Sequence, residues 1–361
     1  MATVGRILEA LGEKYPWELA CEGDRVGLLV GSRDAAARKA MCSVDLTLSI
    51  VERAISTGCD LLVTHHPQFF REPWHGLDLD TPGGRIAARA VEASLSIACC
   101  HTNADCAEGG TADMMADYLG LEDRRPLEPS EGAFIAKIVV FVPPEAVESV
   151  ADAMAGAGAG RIGDYTRCSF RSPGSGTFLP GEGAEPYSGN VGELSTEDEV
   201  RLEMVVPSFS LGRVEEAMIE AHPYEEVAFD VYRTGSRVPW GIGRVGSLSK
   251  ESSAVDLFSS LVDWTGSRRA RLIGGAERVL KVAVVPGSAG SLVGEAARAS
   301  CDMLVTGEAG WHAELEALES GVALALLGHS ESERPIAGAM ASVLERASRV
   351  GQWEMEIEVF T

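Results

Sequence analysis

Apolar residues recur with helical spacing at Val4, Ile7, Leu8 and Leu11, so the chain opens on an amphipathic helix. Short apolar runs then alternate with helical stretches. Val26–Val30, Met41–Val44, Leu61–Val63 and Leu95–Cys100 read as strands, and Thr47–Thr57 and Gly84–Ala93 as helices among them. Alternation of this kind predicts an α/β layer architecture. Near residue 133 the pattern changes. Ile135–Val142 reads as a strand and Pro143–Ala155 as a helix opened by Pro-Pro. A Gly-rich stretch follows, of which Ser172–Gly192 reads as a surface connection. Glu199–Val206, Leu211–Ala221 and Val227–Tyr232 then read as strand, helix and strand. The order β-α-β-β-α-β predicts a compact ferredoxin-like α+β module, after which α/β alternation resumes. The expected organisation is one α/β domain, residues 1–130 and 235–361, interrupted by an inserted domain, residues 131–234.

An internal repeat supports the interruption. Ser49–Thr64 aligns without a gap to Ser291–Thr306 with eight identical positions, including Cys-Asp before the strand and Leu-Val-Thr at its end. A second echo follows in each half, where an apolar strand leads into His101-Thr-Asn-Ala-Asp105 and His329-Ser-Glu-Ser-Glu333. A duplicated α/β unit, split by the insertion, accounts for both.

The strand ends carry the chemistry. Of seven histidines, His65, His66, His101 and His329 stand just beyond strands, and Asp105 and Glu333 follow two of them by four residues. Open α/β sheets bind ligands beyond the carboxyl ends of their strands, so these six groups are expected to converge. Imidazole and carboxylate suit Zn, Fe, Mn and similar divalent ions. Four His and two carboxylates exceed the needs of one open catalytic ion and suit two, about 3.5–4 Å apart. Glu308, in Thr306-Gly-Glu308, occupies the place of His66 in the repeat, and His312 is expected to share a helix face with it; both are candidate catalytic proton carriers. Asp45 is read either as an acceptor for a ligand imidazole or as a helix cap. His75 falls in a loop after Pro73-Trp74, and His222, in His222-Pro-Tyr-Glu, reads as a turn rather than a further ligand.

Composition narrows the setting. Apolar residues make up 45% and charged residues 24% of 361, a globular profile. No apolar run reaches the roughly 18–20 residues of a membrane span, and the N-terminus lacks a signal-peptide layout; a cytoplasmic protein without membrane contact is expected. The eight cysteines include no Cys-x-x-Cys pair and read mainly as buried thiols. A formal net charge of −23 disfavours nucleic acid as a partner, with Arg268-Arg-Ala-Arg271 the main basic exception.

At these residues the chain resembles the dinuclear-metal proteins called GTP cyclohydrolase 1 type 2, or NIF-three-like. The resemblance rests on Asp24-Arg-Val-Gly-Leu-Leu-Val-Gly31, Thr64-His-His-Pro67, His101-Thr-Asn-Ala-Asp105, Gly109-Gly110, Thr306-Gly-Glu308 and Gly328-His-Ser-Glu-Ser-Glu333, and spans nearly the whole chain. It implies His65, His66, His101, Asp105, His329 and Glu333 as ligands of two divalent ions. Arg25 departs from the family's usual Asn. The middle segment resembles PII and CutA-type folds through Gly160-Arg-Ile-Gly-Asp-Tyr165, Cys168-Ser-Phe170, Gly176-Thr-Phe178 and His222-Pro-Tyr-Glu-Glu226, which implies a homohexamer built as a trimer of dimers. The family name implies a metal-dependent hydrolase acting on a nucleotide or related small molecule. A non-enzymatic metal-binding or regulatory protein, with the insert sensing a small ligand, is the alternative.

Overall fold

The computed structural model describes residues 2–67 and 78–360; His75 lies outside the described residues. The chain divides into two compact units, Met1–Ser130 with Pro239–Thr361, and Glu131–Val238.

The larger unit is mixed α/β and holds two main sheets. In the first, the order is Gly27–Val30, Ser96–Cys99, Leu61–Thr64, Lys39–Ser43 and Glu356–Phe360. Its first pair is antiparallel and the other three pairs are parallel. In the second, the order is Arg271–Ile273, Ala323–Leu326, Met303–Glu308, Val279–Ser288, Arg244–Ser252 and Glu122–Arg125. It too sets an antiparallel edge strand beside three parallel ones. Each half of the chain therefore builds the same strand order, and each also donates a strand to the other's sheet: Glu122–Arg125 in one direction, Glu356–Phe360 in the other. This exchange ties the two halves into one body.

Alternation of side chains decides the packing. In the second sheet Val282, Val284, Met303, Val305, Ala323 and Ala325 enter one core. Their neighbours Ala283, Val285, Leu304, Leu324 and Leu326 enter another. Both faces are thus buried, which explains the continuous apolar runs. In the first sheet Met41, Leu62 and Ile97 pack with Ile50, Val51, Ala54, Ile86 and Ala90 of the covering helices. Threonine hydroxyls start these helices: Thr47 Oγ1 accepts from Ile50 N, and Thr81 Oγ1 from Gly84 N just after Pro82 at the first turn.

The smaller unit runs Ile135–Val142, Val147–Gly156, Phe170–Phe178, Ser195–Pro207, Leu211–Ala221 and Phe229–Arg233, with an antiparallel sheet in the order fourth, first, third, second strand. Ile138, Val140, Leu202 and Met204 meet Val150, Met154, Val214 and Met218 in its core. The Ser172–Gly192 stretch is not simply a connection. Its first part belongs to the edge strand Phe170–Phe178, and the partner strand is longer than expected, Ser195–Pro207. The edge strand leaves both faces largely exposed, so it carries no apolar alternation to read. Gly176 leaves room there for the Glu199 carboxylate, which would have to shift for a Cβ at this position.

Candidate metal centre

Three adjacent chain turns build the site, each just past a parallel strand. His65 and His66 follow Leu61–Thr64, and their backbone N–H groups are fixed by Val44 O at 3.1 and 2.8 Å. His101 follows Ser96–Cys99 and caps the short helix Thr102–Cys106, which carries Asp105. His329 and Glu333 begin and end the short helix His329–Glu333 after Ala323–Leu326. Ser332 seats that helix: its hydroxyl donates to His329 O at 2.7 Å and accepts from Gly287 N at 2.9 Å.

All six side chains come together. Glu333 is central, with Oε1 3.8 Å from His65 Nε2 and Oε2 2.9 Å from His66 Nε2 and 3.4 Å from His329 Nε2. Asp105 Oδ1 lies 3.6 Å from His65 Nε2. The His101 ring centroid is 5.4 Å from that of His65 and 5.7 Å from that of His66, and His329 is 5.1 Å from His66. Among the described residues, His65, His66 and Glu333 offer ligand atoms that all lie within 4.8 Å of one another.

Each imidazole is oriented through Nδ1. His65 Nδ1 bonds Cys100 O at 2.7 Å, His66 Nδ1 bonds Asp45 at 2.8 Å, His101 Nδ1 bonds Asp24 at 2.9 Å and His329 Nδ1 bonds Glu308 at 3.0 Å. With Nδ1–H donated outward, Nε2 remains as the ligating atom, an arrangement typical of metal-bound histidine. The alternatives for Asp45 are thereby decided: it accepts from His66, while the cap of the next helix is Thr47. Glu308 accepts from the His329 ring and ends a strand, Met303–Glu308. His312 is exposed on the separate helix Trp311–Glu319, so the two do not share a helix face as the spacing had suggested. Ala309-Gly310, between the strand and the helix, breaks the helical register assumed from sequence.

Charge at the site favours a cation. Burial works against the charged His66 ring, but the hydrogen bonds to Asp45 and Glu333 outweigh it and raise the ring to about 10. His65 is also raised: burial opposes its charge, and Asp105 and Glu333 favour it. Glu333 is held well below the carboxylate range, since the two imidazoles overcome its burial. Burial lifts Asp105, and its Oδ1 accepts from Thr111 at 2.5 Å. Asp24 is buried too, yet hydrogen bonds from His101 and Thr102 bring it down to about 2. A divalent ion can take the place of the protons this field holds. His65 Nε2 is fully buried and, among the described residues, has no hydrogen-bond partner, an arrangement a bound ion would satisfy. The donors present therefore fit a divalent metal.

The centre is closed at one end and open at the other. His65 is wholly buried, whereas the side chains of His329, Asp45 and Glu308 are 38%, 48% and 60% exposed. Two glycines make room for it. A Cβ on Gly287, at φ +71°, would stand 2.1 Å from Glu333 Oε1, and one on Gly307 would stand 2.8 Å from His329 Cα. Sequence reasoning missed Asp24 and Gly287 as parts of this site. Asp24 had a signal, its Asp-x-x-Gly motif; Gly287 had none, being distant from every His in sequence. His222, in the smaller unit, is a turn residue whose Nδ1 accepts from Tyr224 N at 3.1 Å and whose Nε2 meets Phe141 O at 3.0 Å.

Comparison with known proteins agrees with this architecture. The chain is 35% identical over 356 residues to a GTP cyclohydrolase 1 type 2 homolog of Halalkalibacterium halodurans, covering 98% of this chain and 95% of that protein. It is 36% identical over 350 residues to the homolog of the same name from Mycobacterium tuberculosis, covering 94% and 90%. A Bacillus cereus protein related to NIF3 superposes with a TM-score of 0.85 at 32% identity, covering 99% and 96% of the two chains. The model of the Duf34/NIF3 (NGG1p interacting factor 3) family matches residues 2–361, and the chain belongs to that family.

Proposed function

We propose that the chain is a metal-dependent hydrolase with two divalent ions, held by His65, His66, His101, Asp105, His329 and Glu333, acting on a nucleotide or a related small molecule. The observation that carries this reading is the outward anchoring of all four Nδ1 atoms, which leaves Nε2 of each ring for ligation around the buried Glu333. Such ions would supply Lewis acidity and an acidified water for attack at a C–N or phosphoester centre. Glu333 lies between His65 on one side and His66 and His329 on the other, which suits a carboxylate shared by two ions. Asp24, Asp45 and Glu308 keep the rings in one tautomer and one orientation. Glu308 stands at the exposed rim, where its carboxylate meets solvent and is the first candidate proton carrier; His312, also exposed, is the second. The nucleotide assignment comes from the relatives' name. Metal analysis of protein purified without chelator, followed by GTP and phosphoester turnover with Zn, Fe or Mn, tests the reading. Metal-loaded protein that leaves both substrate classes intact would overturn it.

The β-α-β-β-α-β order of the smaller unit supports a ferredoxin-like, PII/CutA-like insert. Its exposed Ile162, Tyr165, Phe170, Leu179 and Leu194 give it apolar surface to bury in a ring-shaped homohexamer. Light scattering of the intact chain checks that state; a monomer at micromolar concentration would exclude it.

A further inference from the structure

Cys106 ends the helix that carries Asp105, and Cys21 lies beside that helix. Of the eight cysteines Cys21 alone is exposed, while Cys106, the residue after Asp105, is 2% exposed. The turn Trp17–Leu19, just before Cys21, packs against the helix Thr102–Cys106. Two long-range bonds fasten the segments: Cys21 N donates to Thr102 Oγ1 at 2.9 Å, and Asn103 Nδ2 donates to Tyr15 O at 2.8 Å. The Cys21 and Cys106 side chains are neighbours, and each is the strongest influence on the other's thiol. Thr102 links this pair to the site, because its N–H and hydroxyl both donate to Asp24, the carboxylate that orients His101.

We propose that Cys21 and Cys106 form an oxidisable dithiol site, whose disulfide, made by a peroxide, loosens the metal held through Asp105 and His101. The loosening rests on the dinuclear reading above; the pairing of the thiols does not. Exposure and thiolate character select the attacking sulfur. The neighbouring Cys106 thiol outweighs burial and lowers Cys21 below the ordinary thiol range, which favours Cys21 as the attacking sulfur. Its sulfur attacks one peroxide oxygen; an S–O bond forms, the O–O bond breaks, and hydroxide leaves and is protonated to water. The Cys106 sulfur then attacks the Cys21 sulfur. The S–S bond forms, the S–O bond breaks, and the departing hydroxide takes the Cys106 proton to leave as a second water. Two thiols have given two electrons to the peroxide. A disulfide requires sulfurs about 2.0 Å apart, much closer than two neighbouring free thiols. Closing it draws the end of a five-residue helix towards Cys21, and Asp105 lies immediately before that end.

The test uses full-length protein loaded with Zn(II), treated with hydrogen peroxide, digested without reductant and mapped by mass spectrometry, with released zinc followed by a chromogenic chelator. The expected result is a Cys21–Cys106 cross-linked peptide, at least a tenfold loss of zinc affinity, and recovery with dithiothreitol. Cys21→Ser is expected to keep the zinc affinity of the reduced protein and to resist peroxide. Oxidation of Cys21 to sulfinic acid without a cross-link would overturn the pairing. A cross-link with unchanged zinc affinity would overturn the coupling to the metal. Reduced protein that takes up no zinc would sink the dinuclear reading and the coupling together, while the peptide map still decides the pairing.

Discussion

Glu333 Oε2 lies 2.9 Å from His66 Nε2, although the two residues come from opposite ends of the chain. The strand exchange makes this contact durable. Glu356–Phe360 is hydrogen-bonded into the sheet that ends in His66, and Glu122–Arg125 into the sheet that leads to Glu333. A carboxylate buried against imidazoles also forms a strongly coupled ionic cluster, which costs desolvation unless each member is paired.

Glu333→Gln keeps the shape of the side chain and removes the charge at the centre. The variant is expected to lose at least one of the two proposed ions in metal analysis after desalting, with its circular dichroism unchanged. Full metal content in the folded variant would show that Glu333 is not shared between ions.

Asp24→Asn and Asp45→Asn leave every proposed ligand in place but weaken the acceptors of His101 and His66. Each is expected to lower metal affinity about 10–100-fold, the usual effect of removing such a partner. Competition with a calibrated chelator measures it. Unchanged affinity in both would mean that ring orientation is set by packing alone.

Much of this site was legible in sequence because its ligands stand in short motifs at strand ends, where a buried apolar run makes the following His conspicuous. His65-His66, His101 with Asp105, and His329 with Glu333 all fall in that class. What lay hidden depends on tertiary approach. Gly287 is seen only when the irregular end of the strand Val279–Ser288 meets Glu333, and Cys21 only when the segment after Trp17–Leu19 packs on the helix bearing Asp105. Glu308 was found through the repeat, but its partner was not, because a two-residue turn decides that it faces His329 rather than His312. The edge strand Phe170–Phe178 was hidden for a different reason: with both faces open to solvent, it has no burial pattern to record.

Gly287→Ala tests the space around the carboxylate. The left-handed φ of +71° costs an alanine about 1–2 kcal/mol, and its Cβ would stand 2.1 Å from Glu333 Oε1. Both a lower melting temperature and loss of bound metal are expected. Gly290→Ala is the control, since a Cβ there meets nothing within 4 Å. Equal metal content in the two variants would rule out a role for Gly287 in shaping the centre.

The smaller unit should weaken in acid through His222. Its Nδ1 accepts from Tyr224 N while Nε2–H meets Phe141 O, so the fold needs the neutral ring. Burial lowers its pKa, against the opposing pull of the Phe141 carbonyl and the Glu199 carboxylate. The unfolded chain, with an ordinary value of about 6.5, binds the proton more readily. The contribution of His222 is therefore fully present above about pH 6.5 and is lost as the pH falls from there towards the lower folded value. Hydrogen exchange of peptides from 131–238 in the intact protein is expected to quicken between about pH 7.5 and 5, after correction for the intrinsic rate. His222→Asn removes the titrating ring and keeps a side-chain acceptor near Tyr224, so its corrected protection should be flatter over the same range. Equal pH dependence in the two proteins would assign the acid sensitivity to other groups.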